Sequence, residues 1–339
     1  MPKLRNEKID IVRGFAAVVV VMGHVLYRFN GYNDNLLFNI IFSFQMPLFM
    51  MISGYTCIYA SPVHNIRTWL KHFLKRCRTL LLPWFVWSVI AYVFLSNLPL
   101  NEYVAETIRH MESAFWFLFS LWTIDLVFSM AQLIVANVFK NKSEVLKSIG
   151  LLPILALLFV PIILVGLKYG ITFLAIKYTL YYSLFYVLGY FYGRITRIKQ
   201  YRKYEKLRDA LLCGLMIAYV FLITRFNVID MPEQIVFIAV RVFISICACL
   251  IIFEVINNMD IKENRTTKTL KMFGNLSLEL YVVHYFVVKW LDVEMYNINT
   301  VIGFCVALIY FGIVLALSYF IIVFIKQSVL ARCILFGKK

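Results

Sequence analysis

Apolar residues run through this chain in stretches of about 20, the length a helix needs to cross a bilayer. Such stretches fall near residues 9–29, 36–60, 79–96, 114–137, 149–167, 171–193, 208–224, 234–256, 275–291 and 299–325. The pattern predicts an all-α, polytopic membrane helix bundle of about ten transmembrane helices, built as one integral-membrane domain over 1–339. The fifth and sixth stretches are almost fused, with only "VGLKYGIT" between them. Behind the first stretch no small-residue cleavage site follows, so it reads as a helix rather than a signal peptide.

Composition agrees. The chain is 62% hydrophobic and 15% charged, with mean hydropathy +0.80, whereas soluble domains run about 45–50% and 25%. The net charge of +16 is distributed by topology. If the N-terminus is inside, segments 1–8, 61–78, 138–148, 194–207, 257–274 and 326–339 are cytoplasmic and hold about 25 of the 34 Lys and Arg. The opposite loops carry Arg28, Arg109, Lys168 and Arg225 among acids such as Glu102, Glu106, Glu112, Asp230, Glu233, Asp292 and Glu294. This bias predicts both termini in the cytoplasm, with anionic lipid as a partner of the basic face and nucleic acid not required. The basic segment "RITRIKQYRKYEKLR" reads as a membrane-surface loop.

The seven cysteines are scattered, mostly within apolar stretches where a thiol packs as a small apolar group. They form no CxxC pair and no disulfide framework, and no metal site is expected. Walker A, GxGxxG, HExxH and GxSxG patterns are absent.

Polar residues inside spans are costly and normally face a partner or an aqueous cavity. In "EKIDIVRGFAAVVVVMGHVLYRF", Asp10, Arg13 and His24 share one helical face. The 11 residues from Arg13 to His24 span about 16 Å, which places Arg13 near the cytoplasmic surface and His24 about mid-membrane. In "FGNLSLELYVVHYF", Ser277, Tyr281 and His284 fall at i, i+4 and i+7. Asn275 and Ser277 are positioned to cap that helix, and His284 reaches a depth like that of His24. The second span carries Gln45, Pro47 and Ser53 among apolar residues, and Pro47 is expected to kink it. Before the third span, Arg67, Lys71, Lys75, Arg76 and Arg78 interleave with Trp69, Leu70, Phe73 and Leu74. That is either an interfacial amphipathic helix or a site for a phosphate-bearing ligand. Asp125, Lys177, Arg241, Glu254 and Glu279 are further charges at bilayer depth, with partners left open.

These stretches together resemble the acyltransferase-3 family of integral-membrane O-acyltransferases. The match rests on "DIVRGFAAVVVVMGH", "FSFQMPLFMMISGY", "FLKRCRTLLLPWFVW" and "GNLSLELYVVH" in family order, with "FWFLFSLW" and "YVLGYFYG" between them. The resemblance implies catalytic or site roles for His24, Arg13, Tyr281, His284 and Ser277. It implies cofactor-binding roles for Lys75, Arg76, Arg78 and Arg13. Members often show Arg-x-x-Arg where this chain has Lys75-x-x-Arg78. Lys binds phosphate as a point charge, without the guanidinium fork, so either Lys75 serves or Arg76 contributes.

The resemblance further implies acetyl-CoA, or another acyl-CoA, as acyl donor. The acceptor would be a hydroxyl of a lipid-linked or assembled glycan at a bacterial cell surface, such as O-antigen, capsule or exopolysaccharide. The location implied is the bacterial cytoplasmic (inner) membrane, multi-pass, in the stand-alone form of the family. The alternative from the residues alone is a transporter or flippase of a lipid-linked sugar. That reading would call for carboxylates along a transport path, whereas the motifs centre on histidine and arginine.

Overall fold

The computed structural model describes residues 7–60, 63–111, 115–197, 205–259, 263–290 and 292–338. The chain winds through fourteen α-helices among these residues. In order they are α1 (Glu7–Leu26), α2 (Leu36–Cys57), α3 (Ile66–Arg76), α4 (Leu82–Leu95), α5 (Leu100–Arg109), α6 (Trp116–Val138) and α7 (Glu144–Tyr169). There follow α8 (Ile176–Ile195), α9 (Glu205–Arg225), α10 (Ile235–Asn258), α11 (Arg265–Asn275), α12 (Ser277–Val287), α13 (Val301–Lys326) and α14 (Val329–Phe336). No strand occurs among the described residues; one isolated bridge joins Asn30 and Asn297. The protein is thus an all-α, polytopic bundle. By length and composition, eight helical runs among the described residues can cross a membrane: α1, α2, α3 through α4, α6, α7, α9, α10 and α13. Of the ten predicted spans, the sixth is the tyrosine-rich α8 and the ninth, 275–291, is α12, and neither is among the eight.

The chain forms two compact units, Met1–Ile58 with Phe185–Phe324, and Tyr59–Leu184 with Ile325–Lys339. In the first, α1 is the central element and packs on α2, α10, α11 and α12. Its contact with α11 is close because both sides use glycine. A Cβ at Gly14 would collide with the Leu270 carbonyl, and one at Gly274 with the Asp10 carbonyl. Small residues that let backbones approach are how helices associate where lipid offers no hydrophobic drive. In the second unit, α6 packs on α7 and α3, and α14 packs on α4.

Several local features depart from the sequence reading. The third span extends back as one continuous helical run, Ile66–Leu95, so the predicted interfacial segment is its first part. A capping box between Asn65 and Thr68 starts it, and a π-helical turn at Cys77–Leu81 joins α3 to α4. The predicted cytoplasmic segment 257–274 holds a helix, α11, that starts at Arg265, capped by Asn264 with Thr267, and a break at Leu276 separates it from α12. Asn275 and Ser277 therefore flank a break, and the N-cap position of α12 belongs to Leu276 with no side-chain cap bond. Between α7 and α8 the chain makes a tight reversal in which Leu174 and Ala175 take φ of 49° and 54°. Such angles are strained for residues with a Cβ. The last predicted cytoplasmic segment holds α14, anchored where Trp87 Nε1 donates to Leu335 O at 2.8 Å. Residues 198–204 of the basic loop, and Glu112, lie outside the described residues.

Candidate functional site

α1 and the α11–α12 pair run side by side in the same direction. Lys271 pairs with Glu7 at 2.6 Å, Gly274 meets Asp10 and Gly14, and the His284 ring lies 5.1 Å from the His24 ring, tilted by 55°. A parallel pair held by glycines at one end thus delivers two histidines to one level at the other. Tyr281, one turn before His284, sits 6.2 Å from it ring to ring.

The histidines differ in environment. His24 is half-buried and His284 is buried, 1% exposed. The Leu280 carbonyl at 2.7 Å can only accept, so His284 Nδ1 carries the proton and donates it there. Nε2 of His284 is then the acceptor nitrogen in the neutral ring, buried and without a hydrogen-bond partner among the described residues. On the other side of α1, a Cβ at Gly23 would stand 2.5 Å from Gln45 Oε1. That carboxamide therefore abuts the residue preceding His24, and its Oε1 is also buried without a partner. Buried polar atoms are nearly always hydrogen-bonded. These two unpartnered atoms lie beside the same stretch of α1.

Not all the predicted residues share this level. Because α1 ends at Leu26, His24 lies in its last turn. Arg13 is about 16 Å further down α1 and stands 3.8 Å from Asp10 Oδ1. Ser277, at the first residue of α12, falls between the two levels. The structure brings together His24, His284 and Tyr281.

In the second unit the predicted cations separate. Lys75 is exposed. Arg76 turns inward, its Nη2 donating to Asp125 Oδ1 at 2.5 Å, while His72 Nε2 meets Asp125 Oδ2 at 2.6 Å. Arg78 lies in the π-helical turn, a feature frequent at functional sites. Its Nε is buried without a hydrogen-bond partner among the described residues.

Asp125 thus gains the partners the sequence left open. Of the other buried charges, Arg241 Nη2 donates to Met231 O at 2.9 Å. Glu254 accepts from Tyr192 Oη at 2.8 Å and from Asn258 Nδ2 at 3.4 Å. Glu279 is fully buried and Lys177 half-buried. His72 and Gln45 were not among the predicted site residues. His72 could have been found: Asp125 is the one charge in α6, and a lone carboxylate there demands cationic or donor partners.

The all-α bundle with eight helical runs able to cross a membrane among the described residues and the adjacent His24 and His284 rings define a polytopic integral-membrane protein. The chain belongs to the acyltransferase-3 family, whose model, described as an acyltransferase domain, matches residues 6–323. It is a multi-pass membrane acyltransferase. No curated protein and no solved structure matches the chain.

Proposed function

We propose that the protein is an O-acetyltransferase of a bacterial inner membrane. It moves an acetyl group from cytoplasmic acetyl-CoA to a sugar hydroxyl of a cell-surface glycan, lipid-linked or assembled. The observation that carries the reading is the half-buried His24 ring beside His284, whose Nε2 lacks a partner, in a chain of the acyltransferase family. The bias of Lys and Arg towards alternate loops supports both termini in the cytoplasm.

In the proposed reaction His24 accepts the proton of the sugar hydroxyl as general base. The oxygen attacks the thioester carbonyl carbon, and the electron pair moves onto the carbonyl oxygen. On collapse of that intermediate the C–S bond breaks, the thiolate takes the proton from His24, and the products are the sugar ester and CoA–SH. His284 Nε2 accepts a hydrogen bond from the protonated His24 ring and so holds it. The Tyr281 hydroxyl and the Gln45 carboxamide, turned to present Nε2, are the donors available to the oxyanion. Arg78 and Lys75 supply cations for the donor's phosphates, with Arg76 held in place by Asp125. Arg13 and Ser277 line the α1–α12 seam below the histidines.

The test is incubation of the purified protein in lipid nanodiscs with [14C]acetyl-CoA and surface polysaccharide from the native host, previously de-O-acetylated with mild alkali. Label that enters the polysaccharide and is released again by mild alkali is the expected result. Acetyl-CoA left intact, with no label in the polysaccharide, would overturn the proposal.

A further inference from the structure

The end of the first unit at which α1 stops is built largely from asparagine, a residue whose short carboxamide readily bonds nearby backbone. After Leu26 the chain turns at Gly31, whose φ of 73° suits glycine, into a 3₁₀ turn at Tyr32–Asp34. Asn299 Nδ2 donates to Gly31 O at 2.9 Å, and Asn35 Nδ2 donates to Asn299 Oδ1 at 2.8 Å. Asn227 Nδ2 donates to Asn33 O and to Asp230 Oδ2, both at 2.8 Å. Asn39 Nδ2 donates to Phe226 O at 2.9 Å, and its Oδ1 accepts from Val228 N at 2.8 Å. These bonds tie the α1–α2 turn to the end of α9 and to the segment before α13.

Between them lies a cleft of about 460 Å³ lined by residues that include Asn33, Asp34, Asn39, Thr224, Arg225 and Phe226. Its scaffold is committed to the protein, but the Asp34 carboxylate and the Arg225 guanidinium have no hydrogen-bond or ion-pair partner among the described residues. A wall carrying an exposed carboxylate, an exposed guanidinium 5.9 Å from the Phe221 ring and the Phe226 ring suits hydroxyl-rich ligands, which need both acceptors and donors. The two charges are opposite in sign, so the cleft does not single out an anionic headgroup. Beside it stands the aromatic group of Tyr27, Tyr32 and Phe38, with rings 4.7 Å and 5.2 Å apart in sequence.

We infer that this cleft is the acceptor subsite, holding a sugar segment of the glycan through Asp34 and Arg225. The inference rests on the glycan O-acyltransferase reading above. Position supports it. Asn39 in the cleft wall and Gln45 beside Gly23 are six residues apart on α2, about 9 Å along the axis, and His24 occupies the last turn of α1 before the loop that forms the cleft. The basic-residue bias makes this end extracytoplasmic, where assembled glycan is found.

Asp34→Asn and Arg225→Gln test the assignment in nanodiscs, with de-O-acetylated surface polysaccharide of the native host as probe. In each variant the apparent KM for the polysaccharide is expected to rise about tenfold, the size of one lost charge-assisted hydrogen bond. kcat and the KM for acetyl-CoA should stay within twofold. An unchanged polysaccharide KM in both variants overturns the subsite, as does a rise in both KM values together. So does a KM change that follows the phosphatidylglycerol content of the nanodisc, which would assign the cleft to a lipid headgroup. Saturation-transfer NMR of the same polysaccharide without acetyl-CoA separates the two levels. Signal lost in the variants, with no acetyl transfer by wild type, would leave the glycan site standing and remove the transferase reading.

Discussion

His284 gives its Nδ1 proton to Leu280 and keeps Nε2 bare, which makes it a partner for His24 rather than a second base. His284→Gln is therefore expected to lower kcat by one to two orders of magnitude with little change in acetyl-CoA binding. A steady-state comparison with a separate binding isotherm checks this. Gln45→Leu removes a proposed oxyanion donor and is expected to lower kcat about 100-fold, read in the same assay. Asp125 serves stability. Its carboxylate is 3% exposed, while Arg76 and His72 are 29% and 21% exposed in their side chains, so the cations can partly rehydrate when it is lost. Asp125→Ala is expected to cost about 2 kcal/mol, seen as a lower midpoint of thermal unfolding in detergent. A midpoint within 1 °C of wild type would contradict the pairing. His24 and His284 were legible in the sequence because imidazoles in apolar helices are conspicuous. Gln45 was seen but given no role, since its contact with Gly23 comes from a helix packing that spacing along the chain does not reveal.

The α1–α11 crossing sets where His24 and His284 meet. Gly14→Ala and Gly274→Ala each drive a methyl group into a backbone carbonyl and must push the helices apart. A loss of about 1–3 kcal/mol is expected, with activity falling beyond the loss of folded protein because the histidines lose register. Gly214→Ala is the control. Nothing lies within 4 Å of its Cβ position, so stability should hold or rise slightly. Helix positions were readable from apolar runs, because bilayer thickness fixes their length. Their interruptions were not. The π-helical turn at Cys77–Leu81 and the break at Leu276 leave no mark in hydropathy, and each sits beside a residue of interest, Arg78 and Ser277. The start of α11 was missed because its sequence, "RTTKTLKMFGN", is polar. It is held against α1 by a glycine contact and the Lys271–Glu7 pair rather than by apolarity.

Across the whole protein, the alternation of basic and acidic loops makes a topological prediction. In a background with the native cysteines replaced, Glu294→Cys between α12 and α13 should react with a membrane-impermeant maleimide on intact cells. Lys142→Cys between α6 and α7 should react only after permeabilisation, and the reverse pattern would invert the proposed orientation. The bundle class was legible from composition and the family from four motifs. The acceptor cleft was not, since it gathers Asp34, Asn39 and Arg225 from separate stretches whose asparagines look like ordinary loop residues. One comparison bears on the chemistry as a whole: wild type against His24→Gln in nanodiscs, with acetyl-CoA binding and acetyl transfer measured on the same preparations. Binding retained within threefold, with transfer reduced by 10²–10⁴-fold, the usual contribution of a general base, is the predicted result. Transfer within tenfold of wild type in His24→Gln would contradict the account.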